Sequence, residues 1–204
     1  QLGPALRTSA VDVVATQTEL AKAGFSVQQQ LLATRDVLLL ASAGFLGTAD
    51  AAGITISAMR QFGIGAQDTA RITDVFVAAA NAAITDVRGI GEGLKAVGPI
   101  AAAVGISFET TAAAIATLSN AGLDASQTGT GLRGVILDLV APSTTAAKVL
   151  ESLGVQLEEI NPEKVGLIAA LERLRSVHLS AGDAARIFGL FHATAAINLV
   201  NLVD

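Results

Sequence analysis

Residues 97–133 read VGPIAAAVGISFETTAAAIATLSNAGLDASQTGTGLR, and this stretch decides the fold class. Pro99 is predicted to end one helix, because proline lacks a backbone donor and clashes with the preceding turn. Gly105 permits a chain reversal that a bulkier residue would strain, and Ser107 is the predicted N-cap of the Ala-rich helix that follows. Gly122 suits the position just beyond the end of that helix. The stretch therefore predicts short capped helices joined by turns.

The end of the same stretch predicts a further helix that packs closely on a neighbour. Ser126 and Gln127 are expected to start it, and Arg133 is expected to pair with an acid such as Asp138. Small residues let helix backbones approach, and three glycines fall within this helix: Gly129, Gly131 and Gly134.

The rest of the chain shows the same pattern of short helices bounded by glycine, proline and capping residues. No stretch alternates apolar and polar residues with β-branched enrichment, so no strand is predicted. Apolar residues recur at helical spacing, and glycines divide the pattern at Gly24, Gly44, Gly53, Gly63, Gly105, Gly122 and Gly154. N-caps are expected at Ser26, Thr48, Ser107, Ser126 and Ser180, and Pro142 and Pro162 are expected to stop or redirect helices. The prediction is an all-α fold of short helices in sequential hairpins, rich in Ala and Gly, without a sheet.

A short pattern opens four segments of the chain. It reads Gly24-Phe25-Ser26, Gly63-Ile64-Gly65, Gly105-Ile106-Ser107 and Gly154-Val155-Gln156, at intervals of 39, 42 and 49 residues. A period near 40 residues suits paired-helix units. The unequal intervals favour related hairpins over a strict solenoid.

Composition limits the classes of protein. The 204 residues are 51% hydrophobic but only 3% aromatic, and there is no Cys. This composition argues against disorder, a disulfide framework and a thiolate metal site. The net charge is −5 with no basic stripe, so sequence-specific nucleic-acid binding is not expected. A surface poor in charge indicates a partner, a shielded location or contact with lipid.

Three groups of residues superficially suggest chemistry. Residues 89–93, GIGEG, lack the strand and the spacing of a phosphate-binding loop and are interpreted as a helix interruption. Adjacent Glu158 and Glu159 would point about 100° apart on a helix, which is unsuited to paired acid–base work and favours a solvated edge.

The third group is His178, Ser180 and Asp183. Their spacing on one segment does not give the geometry of a catalytic triad, and it fits a helix cap beside a boundary histidine. No catalytic, cofactor-binding or metal-ligating residue and no cofactor is therefore predicted, and the chain is not expected to be an enzyme.

An ordered series of motifs resembles the core region of phage tail tape-measure proteins. The series runs through 97–99 (VGP), 105–107 (GIS), 121–123 (AGL), 126–127 (SQ), 129–130 (GT) and 132–133 (LR). Further similar pieces are 58–63 (AMRQFG), 153–155 (LGV) and 187–189 (IFG). The resemblance covers roughly residues 53–200, whereas residues 1–52 fit only in composition. It suggests an N-terminal helical segment at 1–52 and a tape-measure core helical region at 53–204, within a fragment of a longer protein.

The resemblance implies a structural virion protein rather than an enzyme. Members of this family occupy the lumen of the tail tube, set tube length and leave ahead of the DNA at infection. The implied partners are the tail tube protein, tail tip or baseplate proteins, other copies of the chain, assembly chaperones and, transiently, the host membrane. The implied location is the lumen or tip of the phage tail, and the host envelope after ejection.

Two other classes stay open on the residues alone, a freestanding helical interaction module and a colicin-like pore former. Residues 187–203 carry no formal charge when His192 is neutral. As one helix they would span about 26 Å, somewhat short of the ~30 Å hydrocarbon core. The expectation for the folded chain is that four apolar side chains of this segment are buried: Ile187, Leu190, Phe191 and Leu199.

Overall fold

The computed structural model describes residues 9–201, and helices hold 80% of them, with no strand. The predicted all-α class is confirmed. The chain divides between Gly91 and Glu92 into two compact units. The sequence boundary expected between residues 52 and 53 falls inside a helix and stays a prediction about separate functional segments.

The first unit is built around its second helix. Its elements are α1 (Ala10–Lys22), α2 (Val27–Ala43), α3 (Thr48–Phe62), a 3-10 turn (Ala66–Asp68), α4 (Thr69–Asn81) and the start of α5 (Val87–Ala103). Helix α2 packs against α1, α3 and α4. It buries one side at Ala33, Thr34, Val37, Leu38, Leu40 and Ala41, so the core of this unit is mainly aliphatic.

The second unit is built around its last helix. After the remainder of α5 come α6 (Phe108–Asn120), α7 (Ala125–Val140), α8 (Thr144–Ser152), α9 (Leu157–Ile160), α10 (Pro162–Val165), α11 (Leu167–Ser176) and α12 (Ala181–Asn201). Helix α12 packs against α6, α7, α8 and α11. It is broken at Gly189, whose backbone is not helical, so its two halves take different directions.

One kind of turn joins most of the helices. Gly24, Gly63, Gly105 and Gly154 all have positive φ, and the apolar residue after each donates its N–H to a carbonyl five residues earlier. The bond from Ile106 to Ala101, for example, is 2.9 Å long. The four predicted segment openings are therefore helix ends with the left-handed C′ residue that such ends require.

Three further turns use the same left-handed position. Gly122 closes α6 in the same way, with Leu123 N donating to Leu118 O. At the ends of α2 and α11 the position is held by Phe45 (φ 51°) and His178 (φ 52°), which are not glycines. The predicted division at Gly44 is correct, since Gly44 is the C-cap of α2, whereas no predicted glycine marks the turn at His178.

Capping serines are predicted correctly at some helix starts and wrongly at others. Ser26, Ser107 and Ser180 each accept a hydrogen bond from a backbone N–H three residues later. Thr48 and Ser126 are not N-caps: α3 starts after Gly47, and Asp124 caps α7. Asp124 forms a reciprocal capping box with Gln127, and this box fixes the start of α7 two residues earlier than Ser126 would.

The predicted helix breaks at Pro99, Gly53 and residues 89–93 are wrong. Gly53 lies inside α3, and the other two lie inside α5. Helix α5 persists because it buries an apolar stripe formed by Val87, Ile90, Leu94, Val97 and Ala101, and such tertiary burial outweighs poor helix propensity. Pro142 follows the end of α7 and Pro162 is the first residue of α10, so both of these prolines do redirect the chain.

The expected close approach of helix α7 is confirmed. A Cβ atom added at Gly129 would lie 2.5 Å from the carbonyl oxygen of Gly93 and 2.9 Å from its Cα. A Cβ at Gly131 would lie 3.0 Å from the Cβ of Ala195. Helix α7 therefore meets α5 backbone to backbone, which no larger residue at position 129 permits.

Gly129→Ala should lower the stability of the second unit by about 1–3 kcal/mol, because the methyl group meets main-chain atoms that cannot turn aside. Urea unfolding followed by circular dichroism measures the change. Gly182→Ala is the control, since its Cβ would come no closer than 3.8 Å to the Ser180 hydroxyl. Equal midpoints for the two variants would contradict the close approach.

Candidate interaction surfaces

The His178, Ser180 and Asp183 group is a helix boundary. The Ser180 hydroxyl donates to Asp183 Oδ2 at 2.5 Å, and the Asp183 N–H donates back to Ser180 Oγ at 3.1 Å. The His178 N–H donates to the Arg175 carbonyl at 3.0 Å in the turn that ends α11. The serine and the aspartate are engaged in capping α12, as predicted.

Glu158 and Glu159 pair with different cations. Glu158 lies 3.7 Å from Lys164, whereas Glu159 Oε2 accepts bonds of 3.0 Å from both Arg173 Nε and the Gln156 N–H. The Gln156 bond and then Arg173 hold the pKa of Glu159 below its ordinary value. Because its folded pKa is lowered, its contribution to stability is present above the unfolded pKa and is lost as the pH falls through the folded one.

Asp36 on α2 shows the opposite shift. Partial burial raises its pKa, with the neighbouring Asp74 adding to the rise and Arg35 opposing it. Its main-chain carbonyl accepts a 3.0 Å bond from the Thr73 hydroxyl of α4. Among residues 9–201, no group of three His, Asp or Glu side chains is placed to hold a metal ion.

Asp138 does not pair as expected with Arg133. Its Oδ2 lies 2.9 Å from Nδ1 of His192 on the second half of α12. The His192 ring covers Gly134, where any side chain would collide with it. The partner was missed because it lies 54 residues away, and only the glycine at position 134 hints that another side chain needs the space.

The segment 187–203 differs from the expected buried helix. Gly189 (φ 68°, ψ 166°) interrupts it, which leaves Leu190 82% and Phe191 95% exposed. Ile187 and Leu199 are buried as predicted. Residues 202 and 203 lie outside the described part of the chain. Phe191 and His192 line an open cavity of about 490 Å³, together with Leu123, Gln127 and Thr130.

The first unit presents its own exposed aromatic side chain. Phe45 is 97% exposed and has a φ of 51°, a conformation that is strained for a bulky residue. Gly44 packs against Val87, and Arg88 bonds to Asp50 at 2.7 Å, so the α2–α3 corner adjoins the turn before α5.

Ile84 lies in that adjoining turn and is 84% exposed. We call the pair Phe45 and Ile84 the apolar tip. Alanines are also exposed beside or within these two turns: Ala43 at the end of α2, Ala49 in the first turn of α3, and Ala82 just after α4. The two residues of the tip are thus large exposed apolar side chains, and the Arg88 and Asp50 side chains of the adjoining segments are paired with each other.

The described helices were also considered as membrane spans. No single one of them is long and apolar enough to cross a bilayer. Helices α2 and α3 reach the required length and hydropathy only when taken together, and they are bent by 117° at the corner that carries Phe45.

Comparison with known proteins identifies the class. The sequence model of the family described as "Phage-related minor tail protein" matches residues 1–193. The chain belongs to this family, and the resemblance found from its motifs is confirmed. The match includes the first 52 residues, which the motif resemblance does not reach.

Two individual relatives carry more specific names. The chain is 31% identical over 175 residues to the "Tape measure protein" of Pneumococcus phage Dp-1, and 32% identical over 159 residues to the "Probable tape measure protein" of Escherichia phage P2. These matches cover 86% and 78% of the chain but only 15% and 20% of the relatives. No solved structure matches the chain.

Ser180→Ala should lower the stability of the chain by about 1 kcal/mol through the lost cap, whereas His178→Gly should raise it by about 0.5–1 kcal/mol by relieving the positive φ. Thermal unfolding of the two variants measures these opposite shifts. A hydrolytic activity that both variants lose while still folded would instead identify the group as catalytic.

Proposed function

We propose that this chain is a structural segment of a phage tail tape-measure protein. The whole polypeptide occupies the lumen of the tail tube during assembly, its length sets the length of the tube, and it leaves ahead of the DNA at infection. The observation that carries the proposal is the similarity, over 78–86% of the chain, to two phage proteins with this name. The role is mechanical and requires neither catalysis nor a cofactor.

Within such a protein, this segment is not the ruler itself. A continuous helix of 204 residues would reach about 306 Å, but no helix among residues 9–201 is longer than 21 residues. A compact unit of about 100 residues has a radius of gyration near 13 Å. The segment is therefore either folded at one end of the tail or carried loosely along the lumen.

The apolar tip supports contacts with other tail components. An aromatic side chain that is both strained and exposed is unfavourable for the isolated chain, so a partner that buries it accounts for its presence. The partners we propose are the tube protein, tip or baseplate proteins, other copies of the chain and assembly chaperones. Contact of residues 187–203 with the host envelope would require the bend at Gly189 to rearrange.

Deleting the α6–α7 hairpin, residues 107–140, should disrupt tail assembly rather than shorten the tail, because both helices bury many of their residues in the second unit and pack against α12. Electron microscopy of tails from phage carrying the deletion gives the result. Gly129→Ala is the control, because it destabilises the second unit without changing the length of the chain. It should also impair tail assembly. Tails of normal form shortened by about 51 Å, which is 1.5 Å for each deleted residue, would contradict this proposal.

Phe45→Gly should stabilise the isolated chain by about 0.5–1 kcal/mol, because glycine adopts the positive φ without strain, and yet reduce tail assembly. Thermal unfolding and the yield of intact tails measure the two effects. His178→Gly is the matched control, since it relieves the same strain without removing an apolar surface, and its tails should assemble normally. Wild-type yield from Phe45→Gly phage would show that the tip makes no required contact.

A further inference from the structure

Helix α5 is composed of residues that disfavour helices. Its 17 residues include glycine at positions 89, 91, 93 and 98, followed by Pro99. Glycine is several-fold less favourable than alanine in a helix interior, and proline is less favourable by a factor of about 100. An isolated segment of this length and composition would not be helical in water. The helix therefore depends on what it packs against.

Packing explains two of these residues. A Cβ at Gly91 would lie 3.0 Å from Cγ1 of Ile54, and a Cβ at Gly93 would lie 3.1 Å from Cγ2 of Ile115. Gly93 also meets Gly129 through its backbone. These glycines are needed for close contact inside the first and the second unit respectively.

Packing does not explain Pro99 and Gly89. Pro99 is exposed, and it removes the backbone donor that would otherwise bond to the carbonyl of Lys95. A Cβ at Gly89 would meet chiefly the hydroxyl end of Thr85, a small side chain that can rotate away. Both residues weaken the helix. Gly89 donates its N–H to Asp86 Oδ1 at 2.7 Å, but any residue other than proline would provide the same bond, so this contact does not require glycine.

The position of α5 gives this weakness a consequence. Its first turn belongs to the first unit and carries the buried residues Val87 and Ile90, and its later turns belong to the second unit and carry the buried residues Leu94, Val97 and Ala101. We propose that α5 is a built-in weak link that opens before the buried parts of α7 and α12, and that Pro99 sets how readily it does so. Opening of α5 withdraws its buried side chains from their packing, so that each unit can begin to unfold from this helix.

The consequence for a phage tail rests on the proposed function. A chain that leaves through a tube passes more easily if its compact units can open. The physical claim about α5 does not rest on that function, because it concerns the isolated chain and can be tested there.

Native-state hydrogen exchange of the intact chain, read by mass spectrometry, tests the inference. We expect amides 94–103 to exchange through openings that leave the buried parts of α7 and α12 protected. Pro99→Ala should slow exchange in α5 by up to about 100-fold, because it restores the missing donor and the helix propensity. Gly53→Ala in α3 is the control, since its Cβ meets nothing within 4 Å, and it should leave α5 unchanged.

Two results would overturn the inference. One is that α5 exchanges only together with α7 and α12 in the unmodified chain. The other is that Pro99→Ala slows exchange in α5 no more than Gly53→Ala does. If Pro99→Ala fails to fold, Gly89→Ala replaces it, with an expected slowing of up to about fivefold at the start of the helix. If hydrogen exchange gives the expected results but phage carrying Pro99→Ala have fully functional tails, only the role of α5 in the tail is rejected.

Discussion

The left-handed residue that ends a helix is the constraint on which the rest of this structure depends. A chain with 3% aromatic residues cannot rely on large side chains to hold its helices, so it must bury many small ones at close range. Close packing of short helices requires sharp reversals, and most of the turns among the described residues use a residue with positive φ. Gly24, Gly63, Gly105, Gly122 and Gly154 provide it without strain, and the apolar residue after each returns a hydrogen bond to the helix just completed.

A second use of glycine depends on the first. Once the turns have set neighbouring helices side by side, the distance between them is decided by the smallest residues on the facing surfaces. Gly93 and Gly129 bring two backbones into contact, and Gly134 makes room for the imidazole of His192. The same residue type therefore serves two physical purposes, conformational freedom at the corners and lack of volume inside the helices. The sequence alone therefore does not distinguish a glycine needed at a turn from a glycine needed for close helix packing.

This double use explains how much could be predicted from the sequence. The all-α class, most corners and the close approach of α7 follow from local spacing and capping chemistry. The errors at Gly53, at residues 89–93 and at Pro99 share one cause, because each was interpreted as a local helix break while tertiary burial decided the outcome. The contact between His192 and Asp138 was missed because it joins residues 54 positions apart. The absence of a chemical site was an expectation from residue types, and the exposure of Phe45 had no local signal except its place after Gly44.

Phe45 shows what separates a structural requirement from a functional one in this chain. Its turn is equivalent to others in which glycine holds the left-handed position, so glycine at position 45 would make the folded chain more stable. His178 breaks the same rule, but it is a polar side chain and costs nothing by facing water. Phe45 carries both penalties, backbone strain and an apolar side chain that the described residues leave 97% exposed. A residue that the fold does not need and water does not favour is best accounted for by a contact outside the described residues, which is consistent with a chain that belongs to a family of phage tail proteins.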